Sequence, residues 1–111
     1  MKAIEMTVAN RRACEFRRWV TGETSAFGRR YSESSARQYV AQLRNYRRKL
    51  APDGIIAAGV PDDLFELGDL LSFNTAVEEI RRTEGYEDFL VRNHRNFSAA
   101  VEMYRRFLAN S

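Results

Sequence analysis

Apolar residues recur at helical spacing along nearly the whole chain, and no stretch alternates convincingly as a strand would. Ala9, Ala13, Phe16 and Val20 share one stripe with Trp19 beside it, which predicts a first helix from about Val8 to Thr21, ended by Gly22. The polar stretch Glu23–Tyr31, with Gly28 inside it, reads as a loop. Ser32 is placed to cap a second helix, with Glu33 in the first turn where a carboxylate meets the positive end of the helix dipole. Ala36, Tyr39, Val40, Leu43, Tyr46 and Leu50 make that helix's apolar face, and Pro52-Asp53-Gly54 stops it.

The segment Ile55–Asp63 fits either a short turn of helix or an extended stretch packed on the core. Pro61-Asp62-Asp63 predicts a helix start leading into Leu64, Phe65 and Leu67. Leu70, Phe73, Val77 and Ile80 predict a third major helix from Asp69 to about Thr83, ended by Gly85. A short helix from Tyr86 to about Asn93 follows, with Phe89 and Leu90 inward. The last begins near Asn96 or Ser98 and runs to Leu108, with Phe97, Ala100, Val101, Tyr104 and Leu108 on one stripe. The expected fold is all-α, a compact bundle of four to five helices forming a single domain over residues 1–111.

Charge changes this picture most. Residues 1–50 carry twelve Lys/Arg against four acids, a net +8, whereas residues 51–91 carry two against ten, a net −8. Residues 92–111 return to four against one, so the overall +3 conceals a sorted chain. Sixteen of the eighteen basic residues are Arg, whose planar fork suits phosphate oxygens and guanine edges. The sorting points to a polyanionic partner on one side of the molecule. Cys14 stands alone, excluding an intrachain disulfide, and reads as a small core residue. No apolar run has the length of a membrane span and no signal-peptide pattern opens the chain, so a cytoplasmic location without membrane contact is expected.

Catalytic chemistry finds little footing. His94 has no metal-ligand spacing around it, the adjacent pairs Asp62-Asp63 and Glu78-Glu79 point about 100° apart on a helix, and the glycines form no phosphate-binding loop. No enzyme, no cofactor and no metal are expected. The basic residues are different. Arg37, Arg44 and Arg48 fall opposite the second helix's apolar face, with Gln38 and Asn45 alongside. Arg29, Arg30 and Tyr31 stand just before that helix, where Ser32, Ser34, Ser35 and free backbone amides could hold phosphate. Arg11, Arg12, Arg17 and Arg18 line the polar side of the first helix, and His94, Arg95 and Asn96 repeat the pattern before the last. Most aromatics lie on core stripes; Phe27 and Tyr31, in the basic loop, are the ones placed to stack on bases.

Phe16-Arg17-Arg18-Trp19-Val20, a loop, and then Ser32, Ser35, Tyr39, Leu43 and Arg44 at their present spacing resemble the N-terminal core-binding (SAM-like) domain of phage integrases and other tyrosine recombinases. The closing run Asn96 to Leu108 is similar to that domain's final helix, and equally to the helical domain found beside some restriction endonucleases. The resemblance implies a SAM-like helical domain that clamps DNA, with Ser32, Ser34, Ser35, Arg37, Gln38 and Arg44, plus Arg95, Asn96 and Ser98, near the duplex. It departs from that family in a longer, more acidic middle from Leu64 to Phe89, and no recombinase catalytic set is present to assign strand transfer.

The sequence therefore predicts a non-catalytic domain for double-stranded DNA, standing alone or belonging with a catalytic domain in a recombinase-like or restriction-associated protein. The rival is a small phage or mobile-element module that captures a nuclease or regulator through its acidic 53–88 surface. An oligomer joining basic half to acidic middle fits the sorting too.

Overall fold

The computed structural model describes residues 7–24, 28–51 and 59–110. Its helices are α1 (Val8–Gly22), α2 (Glu33–Leu50), α3 (Leu70–Arg81), α4 (Tyr86–Arg92) and α5 (Asn96–Ala109), with one 3-10 turn at Leu64–Glu66 between α2 and α3. No strand occurs among the described residues, only a single antiparallel bridge between Thr24 and Arg30 that pinches the α1–α2 loop. The fold is an all-α bundle. Pro52-Asp53-Gly54, Ile55-Ile56-Ala57-Ala58 and Phe27 lie outside the described residues.

Side-chain caps set most of the starts. Thr7, Ser32, Asp63 and Asp69 each accept a hydrogen bond from an amide in the first turn that follows, satisfying a donor the helix leaves free. Ser32 and Glu33 take the places the sequence assigns them. The start expected at Pro61-Asp62-Asp63 yields only the 3-10 turn, because Leu67 is already extended and Asp69 opens a new helix. Gly68 follows at close quarters: a Cβ there would run into the Arg12 guanidinium.

Helix α5 is the axis. It packs against α1, α2, α3 and α4, most extensively against α2. Arg17 pairs with Glu33 at 4.0 Å, and Arg44 donates to the Asn10 side chain, so α1 and α2 run antiparallel. Tyr46 meets Phe97 with ring centroids 5.6 Å apart, while Arg106 reaches Glu23 at 3.7 Å, so α2 and α5 are antiparallel too. Phe16 sits at the centre of an aromatic cluster, in contact with Trp19, Phe65, Tyr104 and Phe107 at centroid distances of 5.5–6.3 Å. Cys14, expected in the core, is only half-buried at the edge of α1. It lies about 100° around the helix from Ala13, beyond the buried stripe.

Between α4 and α5 the chain turns without a glycine. Arg95 N–H donates to the Leu90 carbonyl at 2.8 Å and His94 N–H to the Val91 carbonyl at 3.2 Å, the pattern of a helix ending in a left-handed residue. His94 (φ 53) and Arg95 (φ 59) both occupy the left-handed region. His94→Gly keeps the turn and removes the steric cost, so it should raise stability by up to about 1 kcal/mol in denaturant unfolding.

Tyr46 gives a pH prediction. Its hydroxyl donates to the Pro61 carbonyl at 2.7 Å, and burial pushes the phenol up from 10.0 to about 12, with Arg47 pulling it down less strongly. The folded chain keeps this proton through a window in which the unfolded chain releases it. Stability is therefore full below about pH 10 and falls as pH climbs towards 12. Tyr46→Phe should cost about 1 kcal/mol at neutral pH and make the alkaline decline shallower, read from urea midpoints on either side of about pH 10.

Candidate nucleic-acid interface

Helix α2 offers solvent a continuous polar stripe: Ser34, Arg37, Gln38, Ala41, Asn45 and Arg48 are all exposed. No acidic residue occurs anywhere from position 34 to 51. Among the described residues Arg37 and Arg48 have no hydrogen-bond or ion-pair partner, so their forks are open to a ligand. Helix α1 adds exposed Arg11 and Arg18, seven residues apart on its outer side, with Glu15 between them. Both helices bury their inner faces in one core and are joined along the Asn10–Arg44 and Arg17–Glu33 edge, so their outer stripes open to the same side.

Arg44 is placed otherwise than its periodicity suggests. Its Nε donates to Asp63 Oδ2 at 2.9 Å, its Nη2 to the Asn10 side chain, and its guanidinium stands 5.9 Å from the centroid of the Phe65 ring. Its side chain is 32% exposed and that of Asp63 25%, so the pair is half-shielded from water and ties α1, α2 and the 3-10 turn together. Arg47 does similar work with Asp62.

The two basic helix entrances also come apart. Because α2 and α5 are antiparallel, Ser32 lies at one end of the bundle and Asn96 at the other, about 21 Å apart on the rise of α2 from Ser32 to Tyr46. Arg95 and the half-buried Ser98 turn to the α3–α4 side, and Asn96 is half-buried at the same end. At the α2 entrance Arg29 and Arg30 are exposed. Ser32 Oγ accepts from Ser35 N–H at 3.1 Å and donates to Ser35 Oγ at 3.1 Å, so one of the amides expected to meet phosphate is already capped. Tyr31 is half-buried edge-on against Tyr39, with centroids 6.1 Å apart, and offers no free ring for stacking.

The structure thus gathers Ser34, Arg37, Gln38 and Arg48 with Arg11 and Arg18, and leaves Arg29 and Arg30 at the end of that face. Ala41, a small residue at the centre of the stripe, was not singled out in the sequence, although the four-residue spacing from Arg37 through Asn45 marks it. In α3 and α4, Glu78, Glu79 and Asp88 pair with Arg81, Arg82 and Arg92 at 2.9–3.1 Å, and α4 touches α2 where Asn93 bonds Gln42 at 2.7 Å. Among the described residues no group of three or more His, Cys, Asp or Glu is arranged to hold a metal ion, and no helix is long and apolar enough to cross a membrane.

Stability measurements separate the two classes of Arg. Arg44→Leu should cost about 1–2 kcal/mol, since it leaves half-buried Asp63 without its charged partner. Arg37→Leu and Arg48→Leu should stay within about 0.5 kcal/mol of the parent chain. Equal losses at all three positions would contradict this division.

Compared with protein-family models, curated proteins and solved structures, the chain matches none, so the stripe and the charge map carry the functional reading.

Proposed function

We propose that this chain is a non-catalytic domain that grips double-stranded DNA through the outer faces of α1 and α2. The observation that carries the reading is the acid-free stripe of α2, flanked by the outward Arg11 and Arg18 of α1. From Ser34 to Arg48 the stripe runs about 21 Å, and a helix about 10–12 Å across enters the major groove of B-form DNA. Ala41 lets the backbone approach, while Gln38 and Asn45 carry amides of the kind that bond an adenine edge in pairs. Arg37 and Arg48 reach phosphate or guanine, and Arg11 and Arg18 meet the flanking backbone. A-form RNA has a major groove too deep and narrow for this approach. Single-strand binding calls for exposed aromatic platforms, and Tyr31 is packed against Tyr39.

The rival reading, capture of a nuclease or regulator through the acidic 53–88 surface, is weakened by ion pairs that offset Glu78, Glu79 and Asp88 with Arg81, Arg82 and Arg92. The likeness to recombinase core-binding domains supports DNA contact and a role beside a catalytic domain in recombination of phage or mobile-element type.

Binding of a short duplex should be measurable at about 50 mM salt and fall steeply by about 200 mM. Arg37→Gln and Arg48→Gln should each weaken it and lower the slope of log K against log salt by about 0.9 where the lost contact was to phosphate. Absence of binding to any duplex at the low-salt end would falsify the reading. So would unaltered binding by the double variant Arg37→Glu/Arg48→Glu.

A further inference from the structure

A cleft of about 360 Å³ opens where the last turn of α2 meets the end of α4. It is lined by Arg48 and Lys49 of α2, Phe89 and Arg92 of α4, and Asn93. The ring of Phe89 is almost fully buried and forms the floor, while Arg48, Lys49 and Arg92 are exposed around it. Asn93, a buried polar residue, joins the two helices: its Nδ2 donates to Gln42 Oε1 at 2.7 Å and its Oδ1 accepts from Lys49 Nζ at 3.4 Å. That bridge sets where Lys49 stands relative to Arg92.

The charge of this cleft is not offset. Three cations line it and no carboxylate does; Asp88, which accepts from Arg92 Nε at 2.9 Å, leaves a net +2 among the described residues. Glu87 and Glu102 open instead onto the space between α3, α4 and α5, and α2 has no acid from position 34 onward. The carbonyls that close α4, those of Phe89, Leu90 and Val91, accept from the amides of Asn93, Arg95 and His94, and that of Arg47 in α2 accepts from Ala51. Donors, by contrast, are left over. Arg48 has no partner among the described residues, Arg92 keeps the N–H groups of both its outer nitrogens, and Lys49 keeps two of its three.

Arg48 belongs both to this cleft and to the outer stripe of α2, so the two surfaces are continuous. A DNA strand following α2 from Arg37 to Arg48, about 16 Å of helix rise, comes next upon Lys49 and Arg92. We infer that the α2–α4 cleft is a phosphate site for the same DNA, in which Arg48, Lys49 and Arg92 hold the backbone just beyond the α2 stripe. This rests on the DNA reading above and extends the interface to α4, which that reading leaves out. Phosphate contacts fix position and carry no sequence information, so their loss weakens binding to every duplex alike.

The full chain is titrated with short duplexes of different sequence between about 50 and 200 mM salt. Lys49→Gln and Arg92→Gln should each weaken binding about three- to tenfold at about 100 mM salt, and the double variant should lower the slope of log K against log salt by about 0.9 or more. Arg92→Lys should keep most of the affinity, and Arg82→Gln, the same loss of charge on α3, should leave the slope unchanged. Gln at position 49 retains a donor for Asn93 and the Arg92–Asp88 pair is exposed, so unfolding midpoints should match the parent's. An unchanged slope in Lys49→Gln/Arg92→Gln, while Arg37→Gln still weakens binding, would overturn the cleft and leave the α2 reading standing. No duplex binding by the parent chain would overturn both. Inorganic phosphate, followed at the amides of Phe89 and Asn93 by NMR, is the second arm: saturation there with a DNA slope indifferent to Lys49 and Arg92 would assign the cleft to a free anion and overturn the DNA contact.

Discussion

The structure depends on how residues 60–68 are brought into the core without regular secondary structure to satisfy their backbone. Leu64 and Phe65 are fully buried, and burying them draws main-chain carbonyls out of water as well. Each carbonyl that goes in needs a donor, since an unpaired one costs about 1–3 kcal/mol. Three helices supply them: Tyr46 of α2 bonds the Pro61 carbonyl at 2.7 Å, Arg12 of α1 bonds that of Phe65, and Tyr104 of α5 bonds that of Leu67 at 2.6 Å. Arg44 and Arg47 add the ties to Asp63 and Asp62. A segment with a single 3-10 turn is thus fixed by side chains from three directions.

This lacing decides which cations remain for a partner. Arg12, Arg44 and Arg47 belong to the internal scaffold, and Arg17 and Arg106 face Glu33 and Glu23. What stays outward on the basic half is a smaller, better ordered set on α1 and α2. The aromatic cluster around Phe16 holds those helices in register, because Phe65 inserts beside Phe16 and Tyr104 and joins the laced segment to the α1–α5 contact. Tilted and edge-on ring pairs add about 0.5–1.5 kcal/mol each beyond their buried area. The outer face therefore rests on a rigid interior.

Much of the helical layout was legible in the sequence, α2 best of all, since a Ser cap, a first-turn Glu and an unbroken apolar stripe are local signals. The start at Asp63 goes no further than a 3-10 turn, because the apolar spacing of residues 64–67 reflects burial by surrounding helices and not a long helix of their own. Arg44 shows a deeper limit. It lies only about 20° around the helix from Arg37, so periodicity cannot separate them. The difference is axial: Asp63 and Asn10 meet α2 at Arg44, and no described residue pairs with Arg37. The distance between the two basic entrances was likewise invisible, because it follows from the antiparallel packing of α2 against α5, a contact between residues about fifty positions apart along the chain.

The sorted charge of the sequence survives folding in altered form. Helices α1 and α2 pack on each other and on α5, while α3 packs on α5 and α4, and α4 also touches α2 through Asn93, which bonds Gln42 and Lys49, so the partition along the chain is only partly kept across the bundle. The two sides are not equivalent. Glu78, Glu79 and Asp88 of α3 and α4 are offset within a turn or so by Arg81, Arg82 and Arg92, whereas the α2 stripe has no acid to offset Arg37 and Arg48. Screening at physiological salt acts over about 8 Å. A ligand approaching α2 from Ser34 to Arg48 therefore meets a positive surface with no acid of its own, and the modest net charge of the whole chain is a poor guide to it.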